Sequence, residues 1–249
     1  MYEIDYVILI NKEDNMRLFL ASNIGGVKKE NGKKVPVNFF EDNNFLKNLK
    51  ECIKDYNMFV IIASDPDNYE QNDEYLKLDV KALTFSGLHF TENVVLDNRN
   101  KNNIDIVLNN SSLIFLSGGN TLQQNLFFNE INLKKYIKKT DACIVGISAG
   151  SINSAKIVFN SPEEEKDLVN PTILEGLDLT TINVEPHFDC DKLSRIQMDS
   201  ILKESNNRVI YGLPDNSYIF NNKIYGKCYR IYKENVELIS KDDEIVDVY

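Results

Sequence analysis

The chain has 249 residues, 43% of them hydrophobic and 10% aromatic, with a formal net charge of −10. That length suits one large α/β domain or two small ones, and the composition supports a sizeable core rather than wholesale disorder. A field of this sign repels phosphate backbones and anionic lipid, so neither nucleic acid nor a membrane surface is an expected partner.

Residues 5 to 10 and 17 to 21 read as strands. The basic, glycine-containing stretch from Gly25 to Lys34 reads as a loop. Asp42 to Tyr56 is an amphipathic helix, with Phe45, Leu46, Leu49, Cys52, Ile53 and Tyr56 on one face and Asp42 or Asn43 as its cap. Met58 to Ala63 is a continuous apolar strand of the kind buried on both faces of a parallel sheet. A helix over 72–86, a strand over Asn93–Asp97 and a short helix after Asn103 follow. Leu113 to Leu116 is another buried strand, closed by the turn Ser117-Gly118-Gly119-Asn120-Thr121. Helices over 122–129 and 131–139 lead to the apolar run Ala142 to Val145.

Strands alternating with helices in this way indicate a doubly wound, mostly parallel α/β sheet, whose ligands sit outside the carboxyl ends of the strands. Beyond residue 155 the pattern changes. Pro162 to Asp167 is acidic, Thr181 to Glu185 is a strand, and a helix spans about Asp191 to Glu204. Arg208 to Leu213 leads to Pro214-Asp215. Residues 218–249 read as short antiparallel strands added at a sheet edge, with turns at Asn221-Asn222 and Glu234-Asn235. No repeat or linker divides the chain, so 1–249 reads as one domain with 218–249 as its β-rich extension.

The N-terminus lacks the basic start and apolar core of a signal peptide, and no apolar run approaches the roughly 18 residues of a membrane helix. A soluble, cytoplasmic protein is the expectation. Cys52, Cys143, Cys190 and Cys228 form no Cys-x-x-Cys pair, which argues against structural zinc. Cys52 and Cys143 fall in apolar patterns and are expected as reduced core thiols. His187 and Cys190 have a ligand-like spacing, but two residues do not make a metal site, and no metal or organic cofactor is expected.

The chemistry gathers around Gly146-Ile147-Ser148-Ala149-Gly150. Gly-x-Ser-x-Gly directly after an apolar strand is the pattern of a tight strand-to-helix turn that lifts a serine hydroxyl above the sheet. The glycines avoid clashes within that turn. The bland alternative is a glycine-rich loop whose serine caps a helix. A serine hydroxyl needs a base to take its proton, and the chain has only two histidines, His89 and His187. His187 follows a strand and a proline near the same rim and is the better base. Several acids could orient its ring: Asp215 after a strand, Glu163 in the loop beyond the serine helix, and Glu185 beside His187 itself. Asp215 is the first choice and Glu163 the second. Amide donors for an oxyanion fall at Ala149 and in the Gly118-Gly119 turn, which alternatively is a plain turn.

With these residues assembled, the chain resembles the peptidase E family of aspartyl dipeptidases, to which cyanophycinases are related. The resemblance is carried by Phe115 to Leu122, Gly146 to Ser151, Glu185-Pro186-His187-Phe188 and Gly212-Leu213-Pro214-Asp215, in matching order over about residues 55 to 220. It implies a flavodoxin-like or glutamine-amidotransferase-like sheet and an intracellular serine hydrolase. It makes Ser148 the nucleophile and His187 the base, and it places Gly119 and Ala149 at the oxyanion hole. Asn120, Thr121 and Arg195 would then face the substrate, the arginine reading an acidic N-terminal side chain. Two positions depart from the family: Asp215 stands where glutamate is typical, and Glu163 stands where aspartate is. The leading expectation is a serine dipeptidase acting on small peptides that begin with Asp. The alternatives are a cyanophycinase-like β-aspartyl peptidase and a non-catalytic member that binds an amino acid or peptide. A homodimer is compatible with each.

Overall fold

A computed structural model describes residues 16–248. The strand expected over 5–10 lies outside the described residues. β1 (Leu18–Ala21) is followed by a hairpin, β2 (Gly25–Glu30) and β3 (Lys33–Phe39), and then by α1 (Phe45–Cys52). β4 (Met58–Ile62), α2 (Tyr69–Phe85), β5 (Glu92–Leu96), α3 (Ile104–Asn110) and β6 (Ser111–Leu116) continue the alternation. Next come α4 (Thr121–Glu130), α5 (Leu133–Ile137), β7 (Cys143–Ile147) and α6 (Ala149–Asn153). The short pair β8 (Ile157–Phe159) and β9 (Ile173–Glu175) precedes β10 (Asn183–Pro186), α7 (Arg195–Glu204) and β11 (Ile210–Leu213). The tail supplies β12 (Tyr218–Phe220), β13 (Lys223–Tyr225), β14 (Cys228–Tyr232), β15 (Asn235–Ser240) and β16 (Ile245–Asp247).

The main sheet has eight strands in the order β16-β13-β12-β1-β7-β6-β4-β5. β1, β7, β6, β4 and β5 run parallel, and β12, β13 and β16 extend one edge antiparallel. This is the expected mostly parallel sheet with flanking helices. Its apolar strands feed two cores by simple alternation. Phe59, Ile61, Leu113, Phe115, Cys143 and Val145 pack on one face. Val60, Ile62, Ile114, Leu116 and Ile144 pack on the other. Runs buried on both sides therefore read as continuously hydrophobic.

Four features differ from the sequence reading. The stretch Gly25 to Lys34 is a hairpin rather than a loop. Asn31 (φ 49°) and Gly32 (φ 79°) form its turn, the Asn-Gly chemistry of a tight two-residue connection. The helix expected over 42–56 is cut to α1 because Asn43 (φ 51°) and Asn44 (φ 62°) are left-handed before it and Ile53 is extended after it. Cys52 and Cys143, expected as reduced thiols, pair as a disulfide with their Cα atoms 5.9 Å apart, because α1 ends against the start of β7. Finally, β14 and β15 do not join the main sheet. They pair antiparallel onto β11, which runs parallel to β10, in a separate four-stranded sheet. Gly226 (φ 87°) redirects the chain between β13 and β14 where a side chain would run into Asn43.

Candidate active site

β7 lies between β1 and β6 near the middle of the sheet and delivers Ser148 at its carboxyl end. Ser148 has φ 51° and ψ −112°, a backbone conformation that persists only where the surroundings enforce it. They do so sterically. A Cβ on Gly146 would sit 2.8 Å from the Ser151 Cα, and one on Gly150 would be driven into the Leu116 carbonyl. The Ser148 N–H donates to the Ala21 carbonyl at 2.9 Å. The Ser151 hydroxyl, fully buried, reaches the Ala21 and Gly146 carbonyls, each at 2.7 Å. The end of β7 is thereby pinned to the end of β1.

The turn after β6 sits beside it. A Cβ on Gly118 would lie 3.5 Å from the Ser148 Cβ, and Gly119 (φ 144°) leaves no room for a side chain against Ser64. Buried Asn153 of α6 holds the two turns together. Its amide donates to the Thr121 carbonyl and to Gln124 Oε1, both at 3.0 Å, and the Gln124 amide donates to the Ser117 carbonyl at 2.6 Å. Asn120 caps α4, its side-chain oxygen accepting the Gln123 N–H at 2.8 Å.

His187 follows β10 with φ 55°. The next residue, Phe188, is fully buried. Its ring lies against Gly212, where a Cβ would approach it to 2.5 Å, and its N–H donates to the Leu213 carbonyl at 3.1 Å. This anchor turns the imidazole toward the rim. With the ring proton on Nδ1, His187 donates to Asp215 Oδ1 at 2.6 Å and accepts the Ser148 hydroxyl at Nε2 at 3.0 Å. The Asp215 hydrogen bond holds the imidazole pKa above its ordinary value, against partial burial. The same bond holds the Asp215 carboxyl below the usual carboxylate range. Both side chains are about half exposed, so the row opens to solvent.

The two other acids considered from sequence do not bond the His187 ring. Glu185 is 3% exposed. Its Oε1 accepts from Ser161 Oγ at 2.9 Å and from Gln197 Nε2 at 3.0 Å, and burial pushes its pKa up to about 7. Glu163 lines a cavity of about 360 Å³ that also takes in Gly119, Asn120, Thr121, Lys166 and Asp167. Arg195 is not part of that lining. Its side chain is 93% exposed, and its Nε lies 3.6 Å from Asp199 one helical turn on. Ala149 opens α6 directly after Ser148 and is buried.

Sequence reasoning missed Ser22. It follows β1 and is fully buried. Its oxygen accepts the His187 backbone N–H at 2.7 Å and its hydroxyl donates to Asp215 Oδ1 at 3.1 Å. Among the described residues, no group of three or more His, Cys, Asp or Glu is arranged to hold a metal, and no helix is long and apolar enough to cross a membrane.

An alcohol, an imidazole and a carboxylate in one row are what acyl transfer through a serine requires. The fold has solved counterparts. A peptidase from an acI-B1 Actinobacterium superposes with a TM-score of 0.65 at 14% identity, covering 92% of this chain and 96% of its own. A putative peptidase E protein from Listeria monocytogenes EGD-e superposes with a TM-score of 0.56 at 20% identity, covering 82% of this chain and 93% of its own. No curated protein matches the chain. The sequence itself matches Peptidase family S51 over residues 37–224. That span is well over half of the chain, which therefore belongs to peptidase family S51, a family of serine peptidases.

Proposed function

We propose that the chain is a serine exopeptidase that hydrolyses small peptides through Ser148, His187 and Asp215. The observation that carries this reading is the unbroken hydrogen-bond row from the Ser148 hydroxyl through the His187 ring to Asp215. In the reaction, Ser148 Oγ attacks the carbonyl carbon of the first peptide bond while His187 Nε2 takes the hydroxyl proton. The carbonyl oxygen becomes an oxyanion, for which the Gly119 and Ala149 N–H groups are the donors that the family resemblance implies. The C–N bond then breaks as His187 returns its proton to the leaving amine. Water, deprotonated by His187, cleaves the acyl ester and frees Ser148. Asp215 stays ionised throughout and stabilises the imidazolium. The chemistry needs no group beyond the chain and water.

For the substrate, we take the family resemblance as the guide to a dipeptide beginning with Asp. The cavity beside Gly119 supports a second reading. Glu163, Glu164 and Asp167 outnumber Lys166 in its wall, and Lys166 is already paired with Glu164 at 2.8 Å. An acidic wall suits a guanidinium better than a carboxylate, which favours β-linked aspartyl-arginine peptides. Hydrolysis of Asp-X dipeptides assayed beside β-Asp-Arg polymer separates the two. For the mechanism, Ser148→Ala should remove roughly three or more orders of magnitude in rate while the fold survives. Residual wild-type turnover in that variant would refute a serine nucleophile.

A further inference from the structure

We propose that Ser22 is a positioning residue for the His187–Asp215 pair, the group through which the end of β1 holds both in register with Ser148. This deepens the reading of the site as a serine nucleophile and rests on it.

The case begins with what one hydroxyl can do. Ser22 Oγ has one proton and two lone pairs. The proton goes to Asp215 Oδ1 at 3.1 Å, and a lone pair takes the His187 backbone N–H at 2.7 Å. At 3.4 Å from His187 Nδ1, the same oxygen is the more distant neighbour of a ring nitrogen already engaged by Asp215. So Ser22 binds the backbone of the base and the carboxylate of the acid at once. Its own backbone N–H donates to the Ser217 carbonyl at 3.3 Å, just beyond Asp215. The preceding residue, Ala21, accepts the Ser148 N–H at 2.9 Å and the Ser151 hydroxyl at 2.7 Å. Two consecutive residues of β1 and its exit thus touch the segments that carry all three members of the row. Those segments come from β7, β10 and β11, which are far apart along the chain. Ser22 is fully buried, so water cannot replace its hydroxyl cheaply.

Loss of the hydroxyl has two separable consequences. The His187 N–H loses its acceptor and the ring shifts relative to Ser148, which slows the reaction at every pH. Asp215 loses a donor, its charge is less dispersed, and it holds the imidazolium more tightly. The pH at which His187 becomes an effective base therefore rises. The charged and titratable groups that face His187 are Asp215 from the end of β11, Glu163 from the segment after β8 and Glu185 from its own strand β10. A change at Ser22 removes none of these.

The test needs no knowledge of the substrate. A small aryl sulfonyl fluoride is attacked by Ser148 Oγ. The O–S bond forms, fluoride leaves, and the proton passes to His187 and then to water. The second-order rate of this labelling is followed by intact mass across pH 5 to 9 in wild type, Ser22→Ala and Ser22→Cys, with Ser148→Ala as the blank. Cysteine keeps a polar atom in place but is a weak donor and acceptor. We expect Ser22→Ala to label roughly ten- to a hundred-fold more slowly, the span of a hydrogen bond to a charged group. Its pH midpoint should move upward by some tenths of a unit, and Ser22→Cys should fall between the two. A wild-type rate in Ser22→Ala, or a slower rate with an unchanged midpoint, overturns the proposal. If Ser22→Ala does not fold, Ser22→Cys is judged by the same two criteria. Wild type that fails to label at all overturns the serine reading itself, and this proposal with it.

Discussion

His187 is a stronger base than a free histidine because Asp215 accepts its Nδ1 proton at 2.6 Å. The hydrogen bond favours the imidazolium and raises the ring pKa, the carboxylate charge adding to it. In the proposed mechanism the imidazole must be neutral to accept the Ser148 proton, so hydrolysis should rise with pH through a midpoint above the ordinary histidine value of about 6.5. Asp215→Asn removes both causes at once. The midpoint should then move down toward the ordinary value, and the rate at its plateau should fall by about a hundred- to ten-thousand-fold because the amide also permits the wrong tautomer. The pH profile of kcat/KM for both proteins reads out the two effects separately. A midpoint that stays put in Asp215→Asn would mean that Glu163 or Glu185, not Asp215, sets the ring's charge.

At the scale of elements, the turn between β7 and α6 and the hairpin between β2 and β3 place glycines under opposite constraints. Gly150 has backbone against it: an added methyl would press into the Leu116 carbonyl of the neighbouring strand. Neither partner can yield, because Leu116 ends the buried strand β6 and Gly150 lies buried in α6 directly against it. Gly150→Ala should therefore destabilise by about 2–4 kcal/mol and abolish Ser148 labelling together. Gly32 has a positive φ of 79° but nothing within 4 Å of its would-be Cβ. Gly32→Ala should cost only the backbone preference, about 1 kcal/mol, and leave labelling intact. Denaturant melts of both variants beside labelling rates make the comparison.

The same contrast explains what was legible from sequence. The rule for the serine turn is local, confined to five residues, so Gly146 to Gly150 stood out. With two histidines in the chain, the partner of Ser148 was nearly decided by elimination. The Asn31-Gly32 turn is equally local, but the lysines around it give the stretch the composition of a loop and mask the turn signal. Ser22 had no such signal. A serine after a strand is ordinary, and its partners lie 165 and 193 residues away. Nor does any local pattern say which sheet a strand joins, so the departure of β14 and β15 to β11 became visible only in the fold.

At the scale of the molecule, the hydrogen-bonded row straddles two sheets. Ser148 and Ser22 stand at the ends of β7 and β1 in the eight-stranded sheet, whereas His187 and Asp215 follow β10 and β11 in the four-stranded one. Their alignment depends on how the sheets pack, and one apolar cluster makes that contact. Leu20, Ile219 and Ile224 of the first sheet meet Val184, Tyr211 and Leu213 of the second. Ile224 is fully buried in β13, two strands across from Leu20 through Ile219 of β12. Ile224→Ala should cost about 2–5 kcal/mol through lost burial and the cavity left behind. In a chain of this length that is a fall in melting temperature of roughly 5–15 °C. If sheet packing sets the Ser148–His187 distance, labelling of Ser148 at 25 °C should also drop several-fold, although no polar atom has been touched. Unchanged labelling beside the lowered melting temperature would assign the alignment to the bonds made by Ala21 and Ser22 alone, and the apolar seam between the sheets would then be a matter of stability only.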